Sequence, residues 1–476
     1  MYILIYKILL INLLKLNMNL KKGQELEVQI ESLNIKGQGI GFLELDGQKY
    51  NIAVNRSYPG DKVLVSLRKI KKNFLEAQLV KIIEPSKDRV EPQNSYALIS
   101  GSTPLECLSY EKQLFYKQNE VQRILNNLDL NPQINPIKGM ENPYFYRNKM
   151  QYSFGVTPDV FEFCLGMHHF KYKFKIVPAT DCKLCDPICS PLVDFTLEYF
   201  KDSEIKPHDF RDGSGDLRNL TIRTAKNTED KMLILEVQRP EDMDQYQDYF
   251  QKVSQKFPQL TSIYLHTTFQ RKGHKTHIKL HHISGKEFLT EKLNINQKQY
   301  TFEILPQAFF QPNPSQAEVI YGLVQDSAKD SNIIYDLFCG TGTIGIVLAN
   351  KAQRVYGVEI EPQSIQAAIN NAGINQIENI QFLEGDVYKV LKNNKLPKPD
   401  LVVVDPPRSG LTDKALYLIS DLQPKSLIYV SCNIKTFAQN AIALKEKGYT
   451  LESVTPVDQF PHTRHLEIVS KFTYQK

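Results

Sequence analysis

Cys432 closes an apolar run, SLIYVSC, that a polar, helix-like stretch follows. A thiol so placed can add to an electron-poor carbon, because the thiolate is a strong nucleophile once its proton has gone. Addition of that kind activates the neighbouring atom of an unsaturated ring, provided a second group later removes a proton. The stretch VDQFPHTRHLEIVSKF offers Glu467 for this task, with His462, Arg464 and His465 close by in sequence, and local sequence does not rank them. Both principal residues also have a plain reading, Cys432 as a buried apolar thiol and Glu467 as an exposed strand charge.

A second set of residues points to a ligand. Gly340, Gly342 and Gly345 in DLFCGTGTIG (336–345) permit a tight turn and close backbone approach between a strand and a helix. Three acids, Asp336, Glu359 and Asp386, then fall at the ends of successive apolar segments. Clustered carboxylates repel the pyrophosphate of a dinucleotide, whereas they suit a cation carrying an adenosine and an amino acid tail. S-adenosylmethionine has that make-up, and a carboxylate at position 359 can accept hydrogen bonds from a ribose diol. The next apolar segment ends in VVVDPPRSGL, where Asp405 and two prolines set a rigid turn able to hold a planar substrate. Turns of this type accompany methylation of base amino groups, which needs no thiol. C5 of uracil is barely nucleophilic until something adds at C6, so Cys432 favours that carbon.

These residues require a common edge to stand on. From Ile333 onward, IIYDLF, RVYGVEI, IQFLEGD, LVVVD and SLIYVSC alternate with helical stretches, as parallel strands of a Rossmann-like α/β domain do. We assign this catalytic domain to residues 306–476. Residues 85–305 mix strand-like segments (QYSFGV, KMLILEVQ, SIYLHTTF, HIKLHHI) with an amphipathic helix over 109–128, which predicts a central α+β domain. Within it, Tyr144, Tyr146, Arg147, Lys149, Tyr152 and Phe154 interleave rings and charge, a pattern open to base stacking or to core packing. Residues 18–84 read as a five-stranded antiparallel barrel of OB-like type, with turns at Asp46-Gly47 and Pro59-Gly60. Lys62, Arg68, Lys69, Lys71 and Lys72 lie on its later strands, available to phosphates or simply solvated. Residues 1–17 are apolar, short for a membrane span and interrupted by Lys7 and Lys15; they read as a leader upstream of Met18 or as a targeting segment.

A chain of 476 residues with a net charge of only +5 is a multi-domain globular protein whose charge balance names no partner. Seven cysteines without a convincing secretion signal predict free thiols in the cytoplasm. Neither a membrane nor an obligate protein partner is called for.

Taken in order, FFQPNP (309–314), DLFCGTGTIG, GVEI, DPPRSG, VSCN and FPHTRHLE resemble the RNA (uracil-5-)-methyltransferase family, and the barrel resembles the TRAM domain that some members use to bind RNA. The resemblance implies methyl transfer from S-adenosylmethionine to C5 of a uridine flipped out of its stack. It implies Cys432 as nucleophile and Glu467 as base, and places Gln311, Phe338, Thr343, Glu359, Asp386 and Asp405 on cofactor- and substrate-contact positions. It further implies that the helix over 109–128 docks on the catalytic domain, and it tilts the RNA toward 23S ribosomal over transfer RNA. One departure concerns the iron–sulfur cluster of many TRAM-bearing members. Their C-G-G-C is replaced here by Ser100, Gly101, Ser102 and Thr103, so no cluster is expected, although Cys182 resembles a remaining ligand and Cys185, Cys189, Cys164 and Cys107 are thiols in reserve. The alternatives are an amino-group methyltransferase on nucleic acid and a non-catalytic RNA-binding protein.

Overall fold

The computed structural model describes residues 20–475 except 46, 129, 173, 210, 239–242 and 270–276. The leader reading of 1–17 and the Asp46 half of the first barrel turn lie outside the described residues. The chain gathers into two compact units. One comprises the chain up to Pro92 with Pro104–Glu120 and His462–Arg464, the other Gln93–Thr103, Val121–Pro461 and the chain from His465.

In the first unit, β1 (Glu25–Leu33), β2 (Gly39–Leu45), β3 (Gln48–Val54), β4 (Lys62–Lys71) and β5 (Phe74–Glu84) close into a barrel in the order β1-β2-β3-β5-β4. Period-two alternation turns Val28, Ile30, Ile52, Val54, Val63, Val65 and Leu67 inward, each worth roughly 1.5–3 kcal/mol of burial. Asp61 is fully buried beneath this barrel. Its carboxylate accepts from the Arg89 guanidinium (2.7 and 2.8 Å) and from the backbone N–H groups of Tyr58 (2.6 Å) and Ser86 (2.8 Å), so the buried charge is paired and hydrogen-bonded. Of the barrel cations, Lys62 pairs with Glu27 and Lys69 with Glu76, while Lys71 and Lys72 stay exposed at the β4–β5 turn. In the same unit His462 donates its N–H to the Gln113 side chain at 2.9 Å and accepts from the Leu105 N–H at 3.0 Å. The amphipathic helix runs Tyr110–Asn126.

The second unit holds two large sheets. β7 (Lys149–Val156), β8 (Phe163–His168), β9 (Ile176–Pro178), β10 (Leu217–Thr224), β11 (Lys231–Val237), β12 (Ser262–Phe269) and β13 (His277–Gly285) form a mixed sheet in the order β13-β12-β11-β10-β7-β8-β9. One face packs on the helices Cys189–Lys201 and Gln247–Lys256. Tyr146, Tyr152 and Phe154 belong to this core, so the packing reading of those rings holds and base stacking by them does not. The alternate positions 150, 152 and 154 of β7 point at the helices. The buried thiols of Cys182 and Cys185 sit against the hydroxyls of Tyr96 (2.9 Å) and Tyr152 (3.3 Å). Among the described residues no group of three or more His, Cys, Asp or Glu is arranged to hold a metal ion. A hairpin of β14 (Leu289–Ile295) and β15 (Lys298–Ile304) follows.

The second sheet has the order β18-β17-β16-β19-β20-β22-β21-β6, from β6 (Gln133–Ile134), β16 (Ser331–Leu337), β17 (Ala352–Glu359), β18 (Ile380–Glu384), β19 (Leu401–Val404), β20 (Ser426–Ser431), β21 (Tyr449–Val457) and β22 (Glu467–Tyr474). The first five strands of that order are parallel and β22 runs against them. Every residue of β19 is buried, as a strand covered on both faces requires. Among the described residues no helix is long and apolar enough to cross a membrane.

Candidate active site

Parallel strands bring their carboxyl ends to one edge, and β22, running the other way, brings its beginning there. Ser431 of β20 pairs with Ile468 of β22, so the next step of the same ladder sets Cys432 opposite Glu467. Val404 of β19 pairs with Tyr429 of β20, which puts Asp405 beside Val430 on the strand that carries the thiol. Neighbouring strands lie about 4.8 Å apart. Three groups from the ends of three neighbouring strands, β19, β20 and β22, thus share one rim.

Their charges interact. Cys432 is half-buried, and burial, then the charges of Glu467 and Asp405, push its thiol up to about 11, with Arg408 opposing. Glu467 is 4 % exposed; burial and the Asp405 charge raise its carboxyl well above the usual range, again against Arg408. Burial lifts Asp405 to about 7. The resting thiol is therefore protonated, and Asp405 is a carboxyl beside it that exchanges its proton near neutrality. Asp405→Asn removes one of the charges that raise the thiol, so the Cys432 pKa should fall. Alkylation of Cys432 by iodoacetamide at pH 8, followed by mass spectrometry, should be faster in Asp405→Asn and slower in Arg408→Ala. The change should be roughly three- to tenfold per pKa unit, allowing for the lower nucleophilicity of the more acidic thiol. Equal rates in all three proteins would show that the charges do not reach the sulfur.

The turn that carries Asp405 and Arg408 is pinned from behind. The Asn440 side-chain oxygen accepts from the Leu411 N–H (2.8 Å) and the Tyr429 hydroxyl (2.9 Å), and its amide donates to the Leu411 carbonyl (3.1 Å). Thr436 and Asn433 donate to the Arg408 carbonyl.

The glycine loop stands next along the rim. Phe338 follows β16 in a left-handed conformation, φ 65°. Gly342, at φ 80°, precedes the helix Thr343–Leu348, and a Cβ there would approach the Phe382 ring to 2.7 Å. A side chain at Gly340 would meet nothing within 4 Å, so this side of the loop is open. Asp336 is fully buried. One carboxyl oxygen accepts from the Gly345 N–H at 2.7 Å and the other has no hydrogen-bond partner among the described residues. Burial, with the charges of Asp405 and Glu359, pushes it up to about 7. Glu359 accepts from the N–H groups of Gly340 (3.1 Å), Ile360 (2.8 Å) and Glu361 (3.0 Å). These take three of a carboxylate's roughly four acceptor positions, leaving room for one ribose hydroxyl where the sequence suggested two. Asp386 is exposed and caps the helix Val387–Asn393 through the Lys389 N–H. Gln311 is buried, its side-chain oxygen accepting from Gln459 at 3.1 Å. Thr343 opens the loop's helix and interacts with Tyr321, a buried residue of the helix Pro314–Ser327 that also feels Asp405, Asp336 and Glu467.

Sequence reasoning passed over Tyr321, Arg408, Asn440 and Gln459. Arg408 lay inside a quoted motif and was legible as its one cation; the other three carry no local signal.

A doubly wound sheet with this loop and these rim acids defines an S-adenosylmethionine-dependent methyltransferase. The family model described as tRNA (Uracil-5-)-methyltransferase matches residues 242–472, and the TRAM domain model matches residues 19–80. An uncharacterized RNA methyltransferase of Clostridium tetani is 33% identical over 458 residues, 95% of this chain and 98% of that protein. Another, from Caldanaerobacter subterraneus subsp. tengcongensis, is 36% identical over 455 residues, 94% of this chain and 98% of that protein. The crystal structure of Pyrococcus abyssi tRNA (uracil-54, C5)-methyltransferase in complex with S-adenosyl-L-homocysteine superposes with a TM-score of 0.73 at 25% identity, covering 94% of this chain and 100% of that one. The chain belongs to the RNA (uracil-5-)-methyltransferase family, in its TRAM-bearing form.

Proposed function

We propose that this protein methylates C5 of a uridine in ribosomal RNA through a covalent bond between Cys432 and C6 of the base. The single observation supporting that chemistry is the ladder that sets Cys432 opposite Glu467 on the rim of the glycine loop. Asp336, with one oxygen buried and unpaired, the open side of Gly340, Glu359 and Asp386 fit S-adenosylmethionine, with Phe338 and Thr343 flanking it. Held there, the cofactor supplies an electrophilic methyl group.

The protein's own groups do the rest. Asp405 and Gln311 orient the uracil ring between the loop and the thiol. The Cys432 proton passes to a rim carboxylate, and the sulfur bonds to C6, which moves the ring's electron pair to C5 and its carbonyl. Once C5 is alkylated, Glu467 removes the C5 proton, the electrons re-form the C5–C6 double bond, and the C6–S bond breaks to return the thiolate. A carboxyl raised by burial suits this step, since a base is most effective when its pKa lies near the working pH.

The TRAM match and the exposed Lys71 and Lys72 of the barrel, which suit phosphate contacts, support an RNA substrate, and the choice of ribosomal RNA rests on the resemblance to TRAM-bearing members. Transfer RNA is the second reading, favoured by the Pyrococcus abyssi structure. Mass spectrometry of 5-methyluridine in separated RNA fractions from cells lacking the protein tests both. Loss from the ribosomal fraction is the expected result. Loss confined to transfer RNA would reverse the order, and loss from neither would overturn the proposal.

A further inference from the structure

At the β9 side of the central sheet, two loops and a short segment place six large apolar side chains in solvent: Leu98, Ile99, Phe161, Phe170, Tyr172 and Phe174, the last 68 % exposed. They form one patch. Phe170 donates its N–H to the Ile99 carbonyl at 3.2 Å and Gly101 donates to the His168 carbonyl at 3.3 Å, joining the 98–101 segment to the β8–β9 loop. The Lys175 ammonium lies 3.3 Å over the Phe161 ring, joining that loop to the β7–β8 connection.

The β8–β9 loop is ordered by its own contacts. His169 Nδ1 accepts from the N–H groups of Lys171 and Tyr172, both at 3.0 Å. Its ring stacks on Phe170 (4.9 Å) and Tyr172 (4.8 Å). The backbone is held while the rings remain half-exposed or more, so little conformational freedom is left to lose on binding.

The chemistry of the patch selects its occupant. From 168 to 175 the sequence is HHFKYKFK, rings alternating with lysines and no acid between them. A protein-binding surface is enriched in aromatics but depleted in lysine. Flat exposed rings interleaved with cations are instead the make-up of a platform for unpaired bases, which stack on the rings while the lysines meet the phosphates. We propose that this patch is a second RNA-binding site, which stacks two or three unpaired bases of the substrate other than the methylated uridine. The proposal rests on the RNA substrate assigned above.

The test uses the full chain, with Phe170→Ala/Tyr172→Ala/Phe174→Ala, the corresponding triple leucine variant, and Phe170→Tyr/Phe174→Tyr. Fluorescence anisotropy measures binding of a labelled single-stranded A20 RNA and of the A20:U20 duplex. S-adenosylmethionine affinity serves as the control for folding, and 5-methyluridine formation on total RNA from cells lacking the protein reports the underlying reading. Wild type should prefer the single strand. The alanine and leucine triples should each weaken single-strand binding by roughly ten- to a hundredfold, and the tyrosine variant should bind as wild type. Wild-type affinity in the alanine triple would overturn the platform. Full affinity in the leucine triple alone would mean that apolar area, not ring stacking, holds the strand, and would overturn the stacking platform. Wild type that binds S-adenosylmethionine but neither holds nor methylates RNA would defeat the RNA reading itself.

Discussion

Cys432→Ala is expected to lower methyl transfer by about 10⁴-fold or more, the scale on which loss of a covalent nucleophile acts, with S-adenosylmethionine affinity retained. The reason lies in the substrate. Without sulfur at C6 the C5 carbon has no electron pair to offer, and no other described thiol can replace it, because the remaining six cysteines are buried. The same variant should form no denaturation-resistant complex with 5-fluorouridine RNA, whereas wild type should, because fluorine at C5 cannot leave as a proton does. Gel electrophoresis of the complex and tritiated methyl incorporation read the two effects separately. Activity surviving in Cys432→Ala would favour methylation of a base amino group at the Asp405 turn.

Glu467→Gln should fail at a different point. The amide cannot take the C5 proton, so the alkylated adduct forms and persists. Turnover should fall by roughly 10²–10⁴-fold, the usual share of a positioned base, while a covalent complex accumulates with ordinary, unfluorinated RNA. Loss of turnover without that complex would reassign Glu467 to binding or to the first proton transfer. Because the Glu467 charge is one of those that raise the thiol, the variant should also alkylate faster at Cys432 than wild type. That second readout separates removal of a charge from loss of the fold.

Much of this arrangement could be read from the residues, for definite reasons. Parallel strands buried on both faces leave unbroken apolar runs, and the turns that follow them are punctuated by Gly340, Gly342, Pro406 and Pro407, which leave a mark in any sequence. The barrel was legible for the opposite reason, since its strands alternate, although β3 and β5 pair in parallel where the alternation suggested antiparallel strands throughout. What stayed hidden depends on distant neighbours. Tyr152 and Phe154 stood open between base stacking and core packing until β7 acquired a side that faces helices. Lys62 and Lys69 looked free until Glu27 and Glu76 were brought across the barrel. Tyr321 and Asn440 touch the rim only because whole helices pack behind it. Glu359 lost part of its acceptor capacity to three backbone amides that no motif announces.

The opposed direction of β22 acts as a ruler. Because Cys432 and Glu467 stand at the end of the β20–β22 ladder, the spacing of the proposed nucleophile and base is inherited from backbone hydrogen bonding, and surrounding loops can lengthen or shorten without disturbing it. A slip of β22 by a single residue would present Leu466 or Ile468 to the sulfur in place of the acid.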